Sequence, residues 1–291
     1  MRNFLLVIIF LFLTAKLPIF SQNNENTGNN STTQTMDSPS KKIHPLLRDK
    51  FAFNTGLYFP SKNIKILADG STNNKEIEFD KVFGLKKKET TFAANFRWKF
   101  SKKWHLGVEY FGFKNNKSKT IDRELEWKDV IHPVGADITL DMKLNIYRVF
   151  FGRVLSRGTE HELGGGLGIH LVDIRTSLKG EVYIDEFNKK AEKNSINALA
   201  PLPNIGFWYI YAPTEKWALT ARIDWFGIKI EEYAGILWNL APGIKYQVFE
   251  NIGASLNYRF FTTKFDIHQD RWHGGIKVNY RGPLVTVSAN F

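Results

Sequence analysis

The stretch "FDIHQDRWHGG", residues 265–275, brings His268 and His273 together with Asp266, Asp270 and Arg271. Imidazoles beside carboxylates are the material of general acid–base catalysis and of metal binding. The spacing matches neither a zinc pattern nor a calcium loop, so the stretch reads as a polar outer loop. A second histidine, His170, follows the glycines Gly164–Gly166 in "LGGGLGIHLVDI". A phosphate cradle needs such glycines between a strand and the start of a helix, and no helical period follows. These glycines read instead as room for a bulky neighbour, for which Trp208 is in phase. "IHPVGAD", from Ile131 to Asp137, is a weaker signal still. The chain has no cysteine, which excludes thiolate metal sites and disulfides. Neither a cofactor nor a metal is expected.

Charges at alternate positions are the more informative feature, and short alternating runs are what position them. "FAANFRWKF" places Phe92, Ala94, Phe96, Trp98 and Phe100 on one face against Asn95, Arg97 and Lys99. "WHLGVEYFG" opposes Trp104, Leu106, Val108 and Tyr110 to His105, Gly107 and Glu109. "WALTARIDW" sets Arg222 and Asp224, "ILWNLAPGIKYQV" Lys245 and "IGASLNYRF" Arg259 opposite apolar or aromatic rows. Period two is the mark of a strand with two unlike faces. The same pattern closes the chain in "PLVTVSANF", which ends on Phe291.

Two segments precede these runs. Met1–Asn3 is a short basic head, and Phe4–Leu13 is an apolar core of signal-peptide length, interrupted by Lys16 and Pro18 before it reaches a membrane span. Residues 1–21 are therefore expected to be an export signal. Residues 22–50 form a polar, low-complexity lead-in that cannot bury enough surface to fold. The remainder, 51–291, is expected to be one all-β unit. The net charge of +11 suits an anionic lipid surface better than nucleic acid in an exported chain.

Alternation alone does not separate a soluble sandwich from a membrane barrel. Three features favour the barrel. The apolar rows are aromatic at their ends, with Trp98, Phe100 and Trp104 at one turn and Tyr209, Tyr211 and Trp217 at another. The polar rows carry fixed charges of both signs beside small residues. Short turns ("SKKW", "SRGTEH", "APTEKW", "FENI") alternate with long polar stretches, Ser61–Glu89 and Lys114–Thr139. The expected fold is a transmembrane antiparallel up-and-down β-barrel of about 10 strands, with 8 or 12 as alternatives. Its lumen is expected to hold Arg97, Lys99, Glu109, Arg222, Asp224, Lys245, Arg259 and also Arg281. Ile276, Val278 and Tyr280 are apolar at even positions and Val285–Phe291 at odd ones, so a bulge is expected at "RGP", 281–283.

These features together resemble the small outer-membrane β-barrel proteins of double-membraned bacteria, the OmpA/OmpW-like group in the broad sense. The resemblance implies an outer-membrane location, the short turns on the periplasmic side, and a terminal Phe291 read by the barrel assembly machinery. It names no substrate. The expected function is that of a non-enzymatic barrel, monomeric, with a charged and largely plugged lumen. Basic outer segments (Lys86–Lys88, Lys114–Lys119, Lys189–Lys193) are expected to contact anionic outer-membrane lipid and lipopolysaccharide. A narrow channel for small solutes, anions among them, is the alternative. A lipid A-modifying enzyme is a third reading, against which His105 and His170 share the lumen face rather than the bilayer face.

Overall fold

Period two becomes one antiparallel sheet closed on itself. The computed structural model describes residues 43–68, 77–78, 82–84, 89–122, 124–127, 130–183, 189–230, 233–269 and 272–291. Residues 1–42, which hold the expected export signal and most of the lead-in, lie outside them. A helical turn, α1 (Pro45–Arg48), is followed by β1 (Phe51–Tyr58), β2 (Ser61–Ala68), β3 (Ile77–Glu78), β4 (Thr91–Lys99) and β5 (Trp104–Thr120). Next come β6 (Leu125–Trp127), β7 (Val130–His132), β8 (Asp137–Arg157), β9 (His161–Tyr183) and β10 (Lys189–Tyr211). The chain ends with β11 (Trp217–Ile230), β12 (Tyr233–Leu240), β13 (Gly243–Gln247), β14 (Ile252–Gln269) and β15 (Trp272–Asn290).

The main sheet has 13 strands. β1 and β2 are one stave interrupted at Pro60, and β12 and β13 are one stave interrupted at Pro242, because proline has no amide hydrogen to donate to a ladder. β3 is a two-residue addition to β2. Ten staves remain, and the ring closes where β15 pairs with β14 on one side and with β1 and β2 on the other. At the seam, Phe51 and Phe291 exchange both backbone hydrogen bonds, at 2.8 and 2.9 Å. Closure matters because a bilayer offers no water to satisfy an open sheet edge.

The two faces of each stave exchange character part-way along. In β9 the outward residues are Leu163, Leu167, Ile169 and Leu171, then Asp173, Arg175, Ser177 and Lys179. The inward residues run the other way, from Glu162 and His170 to Val172, Ile174 and Leu178, all buried. β8 repeats this, with Ile138, Leu140, Met142, Leu144 and Ile146 buried above Arg148 while Val149 and Phe151 are exposed below. The section near the short turns is therefore apolar outside and polar inside. The section beyond it is polar outside and apolar inside, as a barrel standing in water must be.

This exchange corrects three expectations. No bulge occurs at 281–283, since β15 keeps one register with β14 from Ile252↔Ala289 to Gln269↔Trp272. Val278 and Tyr280 are inward like Leu284 and Thr286; what changes along β15 is the filling of the barrel, not the phase of the strand. With the phase unbroken, Arg281 faces outward and is exposed, not part of the lumen set. The stretches expected as long loops contain strand: β2 and β3 lie within Ser61–Glu89, and the end of β5, β6, β7 and the start of β8 within Lys114–Thr139. Among the polar residues of these strands Lys114 and Lys143 are exposed on the outward face above the apolar belt, while Lys62 is buried inward and donates to Asn115 at 2.9 Å.

Of the glycines expected to make room for Trp208, Gly164 does so, while Gly166 meets the β8 backbone and Gly165 the Phe207 ring. A Cβ on Gly164 would fall on the Trp208 ring, and one on Gly152 of β8 would meet the same ring at 2.5 Å. Gly164→Leu is expected to destabilise the barrel by about 1–3 kcal/mol through overpacking. Urea titration followed by gel mobility of unboiled samples measures this, and adding Trp208→Ala should recover part of the loss.

Candidate functional site

Inside the apolar belt the lumen carries ionised side chains in two tiers. In the upper tier Glu109 of β5 is held by Arg222 of β11 at 2.7 Å and by Arg259 of β14. Asp224 accepts from Arg148 of β8 at 2.6 Å and from Asn239 at 2.9 Å, with Arg222 at 3.5 Å. His170 lies 3.9 Å from Asp224 and 2.9 Å from the Asn204 side-chain oxygen. These groups come from staves on different sides of the ring, so the pairing spans the lumen. Burying charges is costly unless they are paired and hydrogen-bonded, and here each carboxylate meets two guanidinium groups.

An aromatic layer roofs this tier. The Arg259 guanidinium lies 4.7 Å from the Phe111 ring centre, and the Arg148 guanidinium 4.3 Å from that of Phe150. Phe111 meets Tyr58, Phe261 and Tyr280 edge-on, at 5.7, 5.9 and 6.3 Å. The cations thus stack on ring faces while their forks serve the carboxylates.

The lower tier is built around α1. His44 caps the turn by accepting from the Leu46 amide at Nδ1, 3.1 Å, and Pro45 occupies the first helical positions, where its missing donor costs nothing. So short a helix does not persist by itself. It is held because Leu46 and Leu47 pack against Ile210, Ala212 and Ala218 on the inner wall. The free carbonyls at its end accept from Lys99 (Leu46 O at 2.7 Å, Leu47 O at 3.1 Å) and from Arg97 (Leu46 O at 2.9 Å). Glu162 completes the floor, accepting from Arg157 Nε at 2.9 Å and Trp208 Nε1 at 3.0 Å and pairing with Lys99 at 3.3 Å. Between floor and upper tier lies a cavity of about 230 Å³.

OmpT, an outer-membrane protease of Escherichia coli, has a solved structure that matches with a TM-score of 0.54 at 11% identity, covering 87% of this chain and 99% of that one. This chain has the fold of an outer-membrane β-barrel. The translocator domain of the autotransporter NalP from Neisseria meningitidis matches at 0.44 and 9% identity over 83% of this chain and 89% of its own. OprG from Pseudomonas aeruginosa matches at 0.35 and 13% identity over 86% and 98%. No family model and no curated protein sequence matches. At such identities the likeness is one of fold and carries no activity across.

The structure puts seven of the eight expected lumen residues, all but Arg281, inside this outer-membrane-type barrel and divides them. Glu109, Arg222, Asp224 and Arg259 form the upper tier; Arg97 and Lys99 hold α1; Lys245 stands on the opposite wall, donating to Asn290 Oδ1 at 3.3 Å. Phe291 is exposed at the seam. Sequence reading missed Arg148 and Glu162 as members. Glu162 was legible, being in phase with Gly164 and His170; Arg148 was masked by the apolar inward run that precedes it. His268 and His273, expected in an outer loop, are register partners in the β14–β15 ladder.

Glu109→Gln leaves Arg222 and Arg259 facing a neutral amide in a buried tier, and is expected to cost about 3–5 kcal/mol, read as a lower urea midpoint of the folded band. A second expectation concerns His44, whose pKa is lowered from 6.5 to about 4, chiefly by burial and next by the Lys245 ammonium. The unfolded chain then binds a proton that the folded chain refuses, so stability is lost as pH falls from 6.5 towards about 4. Melting temperatures across that window should show the slope in the wild type and a smaller slope in His44→Asn, which keeps a capping acceptor that does not titrate there.

Proposed function

We propose that the chain is an integral outer-membrane barrel, exported by residues 1–21, whose interior is closed to solute passage and which is not an enzyme. The filled lumen carries this reading: α1 lies at the short-turn end, paired charges lie across the middle, and Tyr58, Phe111, Phe261 and Tyr280 pack above them. An interior of about ten staves is little wider than side chains fill. The non-enzymatic part rests on the lumen histidines being engaged, His170 with Asn204 and Asp224, and His105 stacked on Trp208 at 4.9 Å.

The outer wall supports the membrane. Tyr211, Trp217, Trp98 and Phe100 are exposed near the short turns, and Tyr147, Trp225 and Trp238 are exposed further up. Two aromatic girdles around an apolar band match the interfaces of a bilayer, and so wide an apolar surface is foreign to a soluble monomer. In this orientation the short turns are periplasmic. Phe291, apolar and outward on the closing strand, is the signal read by the assembly machinery. Lys114, Lys117, Lys143, Lys179 and Lys193 are exposed beyond the belt and supply contacts to lipopolysaccharide phosphates. Lys114–Lys119 and Lys189–Lys193 lie on β5 and β10 rather than on loops, while Lys86–Lys88 lie outside the described residues.

Purified full-length protein in planar bilayers is expected to give no unit conductance. Reproducible single-channel steps would overturn the closed-lumen reading and favour the channel for small solutes.

A further inference from the structure

We propose that the lumen cavity between α1 and the Glu109 tier is a binding site for one small oxyanion, a carboxylate or a phosphate group. The cavity measures about 230 Å³, and its wall includes Arg97, Arg148, Arg222, Lys245 and Arg259 with Glu109 as the one carboxylate among its lining residues. At roughly 30 Å³ per water it has room for about seven waters, or for an oxyanion head with a small organic body.

Two observations point to a ligand. The first is Lys245, a residue only 3% exposed whose ammonium donates to the neutral Asn290 side chain, with no carboxylate within salt-bridge distance among the described residues. Asp49, the acidic residue of the floor segment, pairs with Arg48 instead, at 2.7 Å. A buried cation with no carboxylate in contact is costly, and a bound anion lowers that cost. The second is a set of unused donors: Arg259 Nε and Nη1, Arg222 Nη2 and Arg148 Nε are buried without a hydrogen-bond acceptor. Guanidinium forks match the paired oxygens of carboxylates and phosphates, which selects an oxyanion over chloride. Leu46, Phe150, Trp208 and Leu284 line the cavity among these cations and suit the organic part of such a ligand.

The site does not depend on whether the barrel conducts, which the bilayer experiment decides separately. The test is calorimetric titration of the purified full-length barrel in detergent, in a chloride background, with inorganic phosphate in one arm and benzoate in the other. One saturable site per chain is expected in at least one arm, and which arm it is assigns the head group. Losing a charged partner is worth about 1.5 kcal/mol or more, so Lys245→Gln should weaken binding about tenfold or more, while Lys245→Arg should bind nearly as the wild type does. Ala93→Leu, which adds bulk to the cavity wall and leaves every charged residue in place, should lose the site as well. Gel mobility of unboiled samples establishes that each variant is folded. No saturable binding of either anion to the folded wild type overturns the proposal. So does equal binding by Lys245→Gln or by Ala93→Leu, which would put the anion on the outer lysines.

Discussion

Glu109 reaches across the lumen from β5 to Arg222 of β11 and Arg259 of β14, and the interior is arranged around that pairing. A carboxylate buried at this depth exists ionised only because two guanidinium groups face it, and those groups in turn require Asp224 and the rings above. The constraint is mutual. Each charge is tolerated because of the others, so the tier ties together staves that the backbone ladder joins only through their neighbours.

The same demand explains what lies above and below. Above, the cations lie against aromatic rings, and the barrel then continues as an ordinary apolar core inside a polar wall. Below, the cations outnumber the acids, and part of the excess goes to backbone carbonyls of α1 rather than to carboxylates. The helical turn is thus held by electrostatics as much as by Leu46 and Leu47. The capping Asp49 amide serves only the Pro45 carbonyl, so those of Leu46 and Leu47 are left to accept from Lys99 and Arg97. Where the excess finds no carbonyl, it lines the cavity.

Much of this was legible in the alternating runs. Trp98, Leu106 and Leu219 declared the outward face, and their partners Arg97, His105 and Arg222 the inward one, because strand parity admits no exceptions without a bulge. The far sections were misread for a physical reason. There the outward face is polar and the inward face apolar, so the rule that apolar means outward inverts. Tyr280 then resembles a phase slip, Arg281 resembles a lumen charge, and the end of β5 resembles a loop.

The sequence by itself determined the ring: period two, short turns on one side and aromatic row ends are local features, and a strand's two faces follow from its own residues. Only the tertiary structure decided how the inward residues meet. Arg148 joins Asp224, and Arg97 and Lys99 take up the carbonyls of α1, because closing the ring sets which staves face one another across the lumen. No periodicity along one strand carries that information, since the contacts are made between strands far apart in the chain.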